Sequence, residues 1–237
     1  MTMKILITSE ALTLEHTSEG ICTSKFVWAL HKAGFDLRVL TSDPNINKDE
    51  KTFSVSWLNN LSIQHIQQYS QGENKTTGNR VVFNKLDALY AYLTGWNLST
   101  WKNIYLWRRA IYENVKQFKP DLVFVRGAGS SFQPHMAMVI GKFKVPWVAN
   151  YHDPFPLSLY PEPYRRVTPV LSAQQEKHHR RILQKADALS FPSERLMNWV
   201  LRVEPKNIYE KAYVIPHLAC ALPVPRSEEH TSELQSQ

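Results

Sequence analysis

Short apolar runs alternate with longer amphipathic stretches along most of this chain. Lys4-Ile5-Leu6-Ile7-Thr8 reads as a buried strand. A polar loop from Ser9 to Glu19 follows. Gly20 then precedes a helical pattern with Phe26, Val27, Leu30 and Ala33 on one face, ending at Gly34. Asp36 to Thr41 is the next strand, so the chain opens as a right-handed βαβ unit. Asp43 to Lys51 is a polar turn region, and Thr52 to Trp57 is expected to form a third strand. Residues 59–80, rich in Asn, Gln and Ser, read as a loop with at most one short helix.

The period changes at Lys85. From there to Lys119 the pattern is helical, with Trp101, Ile104, Arg108, Ile111, Val115 and Phe118 at three- and four-residue steps, and Pro120 stops it. Asp121 to Val125 is the strongest strand signal. A helix is expected from Gln133 to Phe143, a strand from Trp147 to Tyr151, and a Pro- and Tyr-rich loop to Pro163. A charged helix follows from Ser172 to Lys185, then a strand from Ala188 to Phe191. Ser193 is expected to cap a helix beginning at Glu194, and Ala212 to Ile215 forms the last strand. Strands alternating with helices predict an α/β fold with a doubly wound, Rossmann-like parallel sheet. Ligands of such sheets bind beyond the carboxyl ends of the strands. The loops at 9–20, 126–132 and 152–163 all follow strands, so they should converge on one edge.

Composition adds limits. Of 237 residues, 43% are hydrophobic and 21% charged, an ordinary globular balance. No run approaches the roughly 20 apolar residues that span a bilayer. The apolar start is too short for a signal peptide, so a cytoplasmic protein is expected. Cys22 and Cys220 are too far apart for a CxxC knuckle, and two cysteines make no disulfide framework. The formal charge of +7 points to an anionic partner without choosing one.

The end of the chain departs from this pattern. Residues 226–237 are polar and aperiodic. Their run Arg226-Ser227-Glu228-Glu229-His230-Thr231-Ser232-Glu233-Leu234-Gln235-Ser236 resembles an in-frame translation of a sequencing-library adapter. The expectation is a non-native tail of residues 226–237, a linker start at 216–225 and one domain at 1–215. Without the tail's one Arg and three Glu the charge rises from +7 to +9.

The order of several short motifs resembles the N-terminal domain of family 4-type glycosyltransferases, which have the GT-B fold. Ala33-Gly34-Phe35-Asp36-Leu37-Arg38-Val39-Leu40-Thr41 is similar to that family's G-H-x-V-x-V-L-T, and Lys119-Pro120-Asp121-Leu122-Val123 to its K-P-D before the central strand. Pro146 to Asp153 is similar to its P-hydrophobic-V-x-x-x-H/R-D, and His152-Asp153-Pro154-Phe155 lies close to R-D-P-W. Ala186 to Leu196 matches A-D-x-h-x-x-x-S-E-x-h, and Val214-Ile215-Pro216-His217 matches V-I-P-N-G in part. Only Gly20 stands where the family has two glycines, and His217 stands where it has Asn.

The resemblance implies the acceptor-side half of a retaining enzyme, cut off near Pro225 before its donor domain and therefore inactive alone. The donor would be a nucleotide-sugar, with no metal or other cofactor, and the acceptor a glycan or a lipid-linked glycan. His152 would hydrogen-bond the transferred sugar and Asp153 would orient it or the acceptor hydroxyl. The alternative for Asp153 is a cap on the Pro154-Phe155-Pro156 turn. Gly20 at a helix start would let backbone N–H groups meet a phosphate, or serves only a tight turn. Arg126 and Gly127 would hold a phosphate, or belong to a flexible loop. Ser193 and Glu194 are candidate substrate contacts, or a simple helix cap.

Two further features have bland alternatives. His178 and His179 are adjacent on a helix, make a poor metal pair and read as a solvated face. The aromatic and basic region 86–118, with Tyr90, Tyr92, Trp96, Trp101, Lys102, Tyr105, Trp107, Arg108 and Arg109, suits peripheral contact with an anionic membrane at its inner face, or is core. A non-catalytic Rossmann-like binding domain remains the main rival reading. A nucleotide-dependent oxidoreductase lacks GxGxxG after the first strand, and no nucleic-acid motif accompanies the basic charge.

Overall fold

The computed structural model of the chain describes residues 2–12, 18–43, 46, 58, 61–67, 80–127, 131–161 and 169–218. Seven strands form one parallel sheet: β1 (Lys4–Ser9), β2 (Asp36–Thr41), β3 (Ser62–His65), β4 (Leu122–Arg126), β5 (Trp147–Asn150), β6 (Ala188–Phe191) and β7 (Ala212–Val214). Their order is β3-β2-β1-β4-β5-β6-β7. The order reverses between β1 and β4, which lie side by side with Ile7 opposite Phe124. Such a switch opens a crevice at the carboxyl edge.

Helices cover both faces because the central strands are apolar on both. Ile5 and Ile7 of β1 pack with Phe124 of β4 and with Val27 of α1 (Ser18–Lys32). Leu6, Val123 and Val125 point the other way, as alternate strand positions must. There they meet the larger core, built on α3 (Leu98–Phe118), α4 (Gln133–Gly141) and α5 (Pro169–Lys185). Trp107, Ile104 and Ile111 of α3 are fully buried in it. Each such side chain contributes roughly 1.5–3 kcal/mol of burial. The remaining helices are α2 (Arg80–Thr94), α6 (Glu194–Leu201) and α7 (Lys206–Tyr209). The doubly wound parallel sheet expected from the alternating pattern is therefore present.

Four expectations need correction. The third described strand is Ser62–His65, inside the stretch read as a loop. Its side chains alternate between exposed and half-buried, because it is an edge strand paired only with β2, and so it carries no apolar run to read. The strand expected at 52–57 lies outside the described residues.

The single helix expected over 85–119 is two helices. Gly95, with φ of +88°, ends α2, and the Asn97 side chain caps α3 by accepting from the Thr100 amide at 2.8 Å. α5 begins at Pro169 rather than Ser172, with proline at its first position.

His178 and His179 are not a solvated face. They are 5% and 4% exposed, because α5 packs against both α2 and α4. Consecutive helix positions point about 100° apart, so the two rings reach different neighbours. His178 Nε2 donates to the Thr94 carbonyl at the end of α2, and His179 Nδ1 lies 3.3 Å from the Tyr151 hydroxyl.

Candidate functional site

The described parts of the three loops converge at the carboxyl edge. Ser131 donates to the Glu10 carboxylate at 2.6 Å, joining the segment after β4 to the segment after β1. Phe132 stacks on Phe155 at 4.3 Å between ring centroids, joining it to the segment after β5. The segment after β1 is anchored from below, where the Leu12 amide donates to the buried Asp43 carboxylate at 2.9 Å. Residues 13–17, 128–130 and 162–163 of these loops lie outside the described set.

A small open recess lies at this edge, over β4, β5 and β6. Cys22 and Phe26 of α1 form one wall, Arg126 and Asn150 the floor, and Ile215, Pro216 and His217 the far side. Arg126 ends β4 and is only 6% exposed. Its guanidinium lies 5.3 Å from the Phe26 ring centroid. It makes no ion pair among the described residues. Burial lowers its pKa to about 10, so it stays charged at neutral pH. Glu19 and Cys22 lie close enough to favour its charge, but neither pairs with it directly, so an anion that enters gains from this buried cation.

His152 follows β5 by two residues and is half-buried. Its ring lies 4.7 Å from that of His217, and its Nδ1 is shielded from solvent with no hydrogen-bond partner. Burial pushes its pKa down to about 4, and the nearby Arg126 and His217 add to the shift while Asp153 opposes it. His152 is therefore neutral at physiological pH, able to donate from one ring nitrogen and accept at the other. Burial and Arg126 also lower His217. Tyr160 is pushed up to about 12 by burial and by the Asp153 and Glu19 charges. Asp153 thus acts on three groups of the site, His152, His217 and Tyr160.

The other sequence-derived residues sort differently. Gly20 is buried within the first turn of α1, two residues before the recess-lining Cys22. A side chain at Gly127 would come within 3.3 Å of His135, so packing against that buried ring already accounts for the glycine. Ser193 accepts from the Leu196 amide at 3.2 Å and is the cap of α6, with Glu194 in the favourable first turn. His217 and Cys22 carried no sequence signal of a site, because only the fold brings α1 and the segments after β5 and β7 together.

The description Glycosyltransferase Family 4 matches residues 21–217. No curated protein matches the chain in sequence. Among solved structures, the chain is similar to a UDP-glucose:anthocyanidin 3-O-glucosyltransferase in complex with UDP, at 13% identity and a TM-score of 0.54, over 94% of this chain and 54% of that one. It is similar to a UDP-N-acetylglucosamine 2-epimerase from Rickettsia bellii at 10% identity and a TM-score of 0.50, over 92% and 45%. A glycosyltransferase from Rickettsia africae ESF-5 matches at 13% identity and a TM-score of 0.48, over 91% and 43%. The chain spans about half the length of the structures it matches. At such identities these likenesses speak to the fold, a Rossmann-like half of the GT-B type. With 21–217 matched, the chain belongs to Glycosyltransferase Family 4.

Proposed function

We propose that the chain is the acceptor-side half of a retaining glycosyltransferase, which moves a sugar from a nucleotide-sugar to a glycan or lipid-linked acceptor. Arg126 carries this reading: a buried guanidinium with no ion-pair partner among the described residues, at the same edge as His152 and Asp153. A sugar diphosphate is an anion suited to that position, and a fixed cation stabilises the charge that grows on the departing diphosphate. Neutral His152 donates a hydrogen bond to the sugar, and Asp153 orients the acceptor hydroxyl. The glucosyltransferase solved with UDP supports a uridine-type donor. Because the chain spans half of its structural relatives, a second domain supplies the donor pocket, and the chain alone transfers nothing.

The test incubates the chain with UDP-sugars and candidate acceptors, alone and joined to a donor-binding domain of the same family. Transfer is expected only from the joined protein. His152→Ala should lower its kcat by about 100-fold while leaving its fold intact. Turnover by the chain alone overturns the reading, as does a His152→Ala protein that unfolds while its folded fraction keeps the full rate.

A lipid-linked acceptor is favoured by two exposed stripes. Leu86, Leu89, Tyr90 and Leu93 lie along one face of α2 at helical spacing, with exposures of 60%, 53%, 37% and 58%. Tyr105, Arg108, Arg109, Tyr112 and Lys116 lie along an outer face of α3. The buried Trp107 and Trp96 belong to the core instead. Aromatic and basic side chains over an apolar helix face suit the surface of an anionic bilayer. No described helix is long and apolar enough to cross one. Co-sedimentation with phosphatidylglycerol vesicles, lost in Leu89→Asp/Leu93→Asp, tests this contact.

A further inference from the structure

Cys22, His152 and His217 come from α1, the segment after β5 and the segment after β7. One ligand atom of each lies within 4.8 Å of the other two. Tetrahedral zinc bound by one sulfur and two imidazole nitrogens holds those atoms roughly 3.3–3.6 Å apart. The set therefore needs to close by only about 1 Å, within reach of side-chain rotation. A second observation points the same way: the Nδ1 of His152 is buried and unpartnered, a donor atom with nothing to bind.

We propose that Cys22, His152 and His217 form a site for a zinc-class divalent ion, with three protein ligands and a fourth position open to the recess. Two imidazoles and a thiolate select Zn(II) or Co(II), whereas Mg(II) and Ca(II) require oxygen ligands. Binding forms three coordination bonds and releases the Cys22 thiol proton to solvent; no oxidant or reductant takes part. Three ligands with an open fourth place is the arrangement of reactive rather than purely structural zinc.

The charges around the set define what fills that place. Arg126 acts on both histidines as a neighbouring cation, and Asp153 acts on them in the opposite sense. Cys22 and Glu19 are both close enough to act on Arg126. With Asp153 and Glu19 counted beside the metal, the guanidinium and the coordinated thiolate, the site is close to neutral, so the fourth ligand is water or another small neutral donor. The site stands apart from the transfer reading, since the metal binds whether or not sugar moves. Where both hold, bound zinc withholds His152 from the sugar and inhibits transfer.

Cobalt(II) titration of the purified full chain under reducing conditions tests this. A thiolate-to-cobalt charge-transfer band is expected, saturating at one ion per chain and unaffected by excess Mg(II). It should vanish in Cys22→Ser and persist in Cys220→Ser. His217 is exposed, so His217→Ala should fold normally, as circular dichroism can verify. That variant should weaken cobalt affinity by at least about 100-fold, above the range reached by altering groups that merely support a ligand. Absence of the band in the folded wild-type chain overturns the site. So does a band that survives Cys22→Ser or is lost in Cys220→Ser.

Discussion

The imidazole of His178 lies flat against the indole of Trp96, with ring centroids 4.5 Å apart and planes within 4°. The pair joins the turn between α2 and α3 to the middle of α5. The same ring donates to the Thr94 carbonyl, which satisfies an otherwise free acceptor at the end of α2. Gly95 makes the approach possible: its φ is +88°, and a Cβ there would lie 3.0 Å from Gln174 Cβ and 3.3 Å from the His178 ring. Gly95→Ala therefore adds backbone strain and a clash with the helix. A loss of about 1–3 kcal/mol is expected in urea unfolding. A stability within 0.5 kcal/mol of wild type, roughly the range of an exposed surface change, would show that the turn relaxes freely.

Acid should weaken the fold early. Burial pushes the pKa of His135 and of His179 down to about 3, and also lowers His178. In the unfolded chain each titrates near 6.5. Above that value both states are neutral and stability does not depend on these groups. As pH falls from 6.5 towards 3, only the unfolded state takes up the protons, and stability drops. His135 and His179 together should cost about 4 kcal/mol by pH 5. Urea midpoints at pH 7.5, 6.5 and 5.5 measure this, and His179→Gln should remove about one proton from the slope. A flat profile over that range contradicts the assignment.

Arg126 distinguishes a binding cation from a structural one. Arg126→Met keeps most of the volume and removes a buried charge with no ion-pair partner among the described residues. It is expected to leave stability unchanged or raise it by about 1 kcal/mol. Binding of UDP to the joined enzyme should weaken by about tenfold or more, the worth of a charge-assisted hydrogen bond. The reverse outcome, a destabilised protein with unaltered UDP affinity, assigns Arg126 to the framework.

Residues 226–237 read as a translated adapter, so their removal should leave Tm unchanged within error in a differential scanning experiment. A loss of several degrees would show that they belong to the native protein.

What the chain made legible follows from local physics. β1, β4 and β5 are apolar on both faces, and their runs stand out from any neighbour. β3 is exposed on one face and half-buried on the other, and buries nothing fully, so Ser62 to His65 looks like loop. The break at Gly95 and Asn97 was written in ordinary capping residues, but the aromatic periodicity on either side hid it. His178 and His179 were misjudged because charged neighbours suggest solvent, whereas tertiary packing on two sides overrides that pattern. His152 is singled out by the family motif and by its place after an apolar strand. Cys22 and His217, which the structure sets beside it, carry no local signal, because proximity between distant segments is a property of the sheet order alone.

The outer edge of β7 carries a further consequence. This strand pairs only with β6, and Tyr213, Val214 and Ile215 beside it are 58%, 37% and 39% exposed. Among the described residues no strand pairs with its outer edge; Lys211 and Pro216 bound it on either side. Two such borders brought together can zip antiparallel about a twofold axis, continuing the sheet from one molecule into the next. Bounded by that lysine and proline, such a junction spans at most the three residues of the strand, and a single lysine at Tyr213 is expected to abolish it.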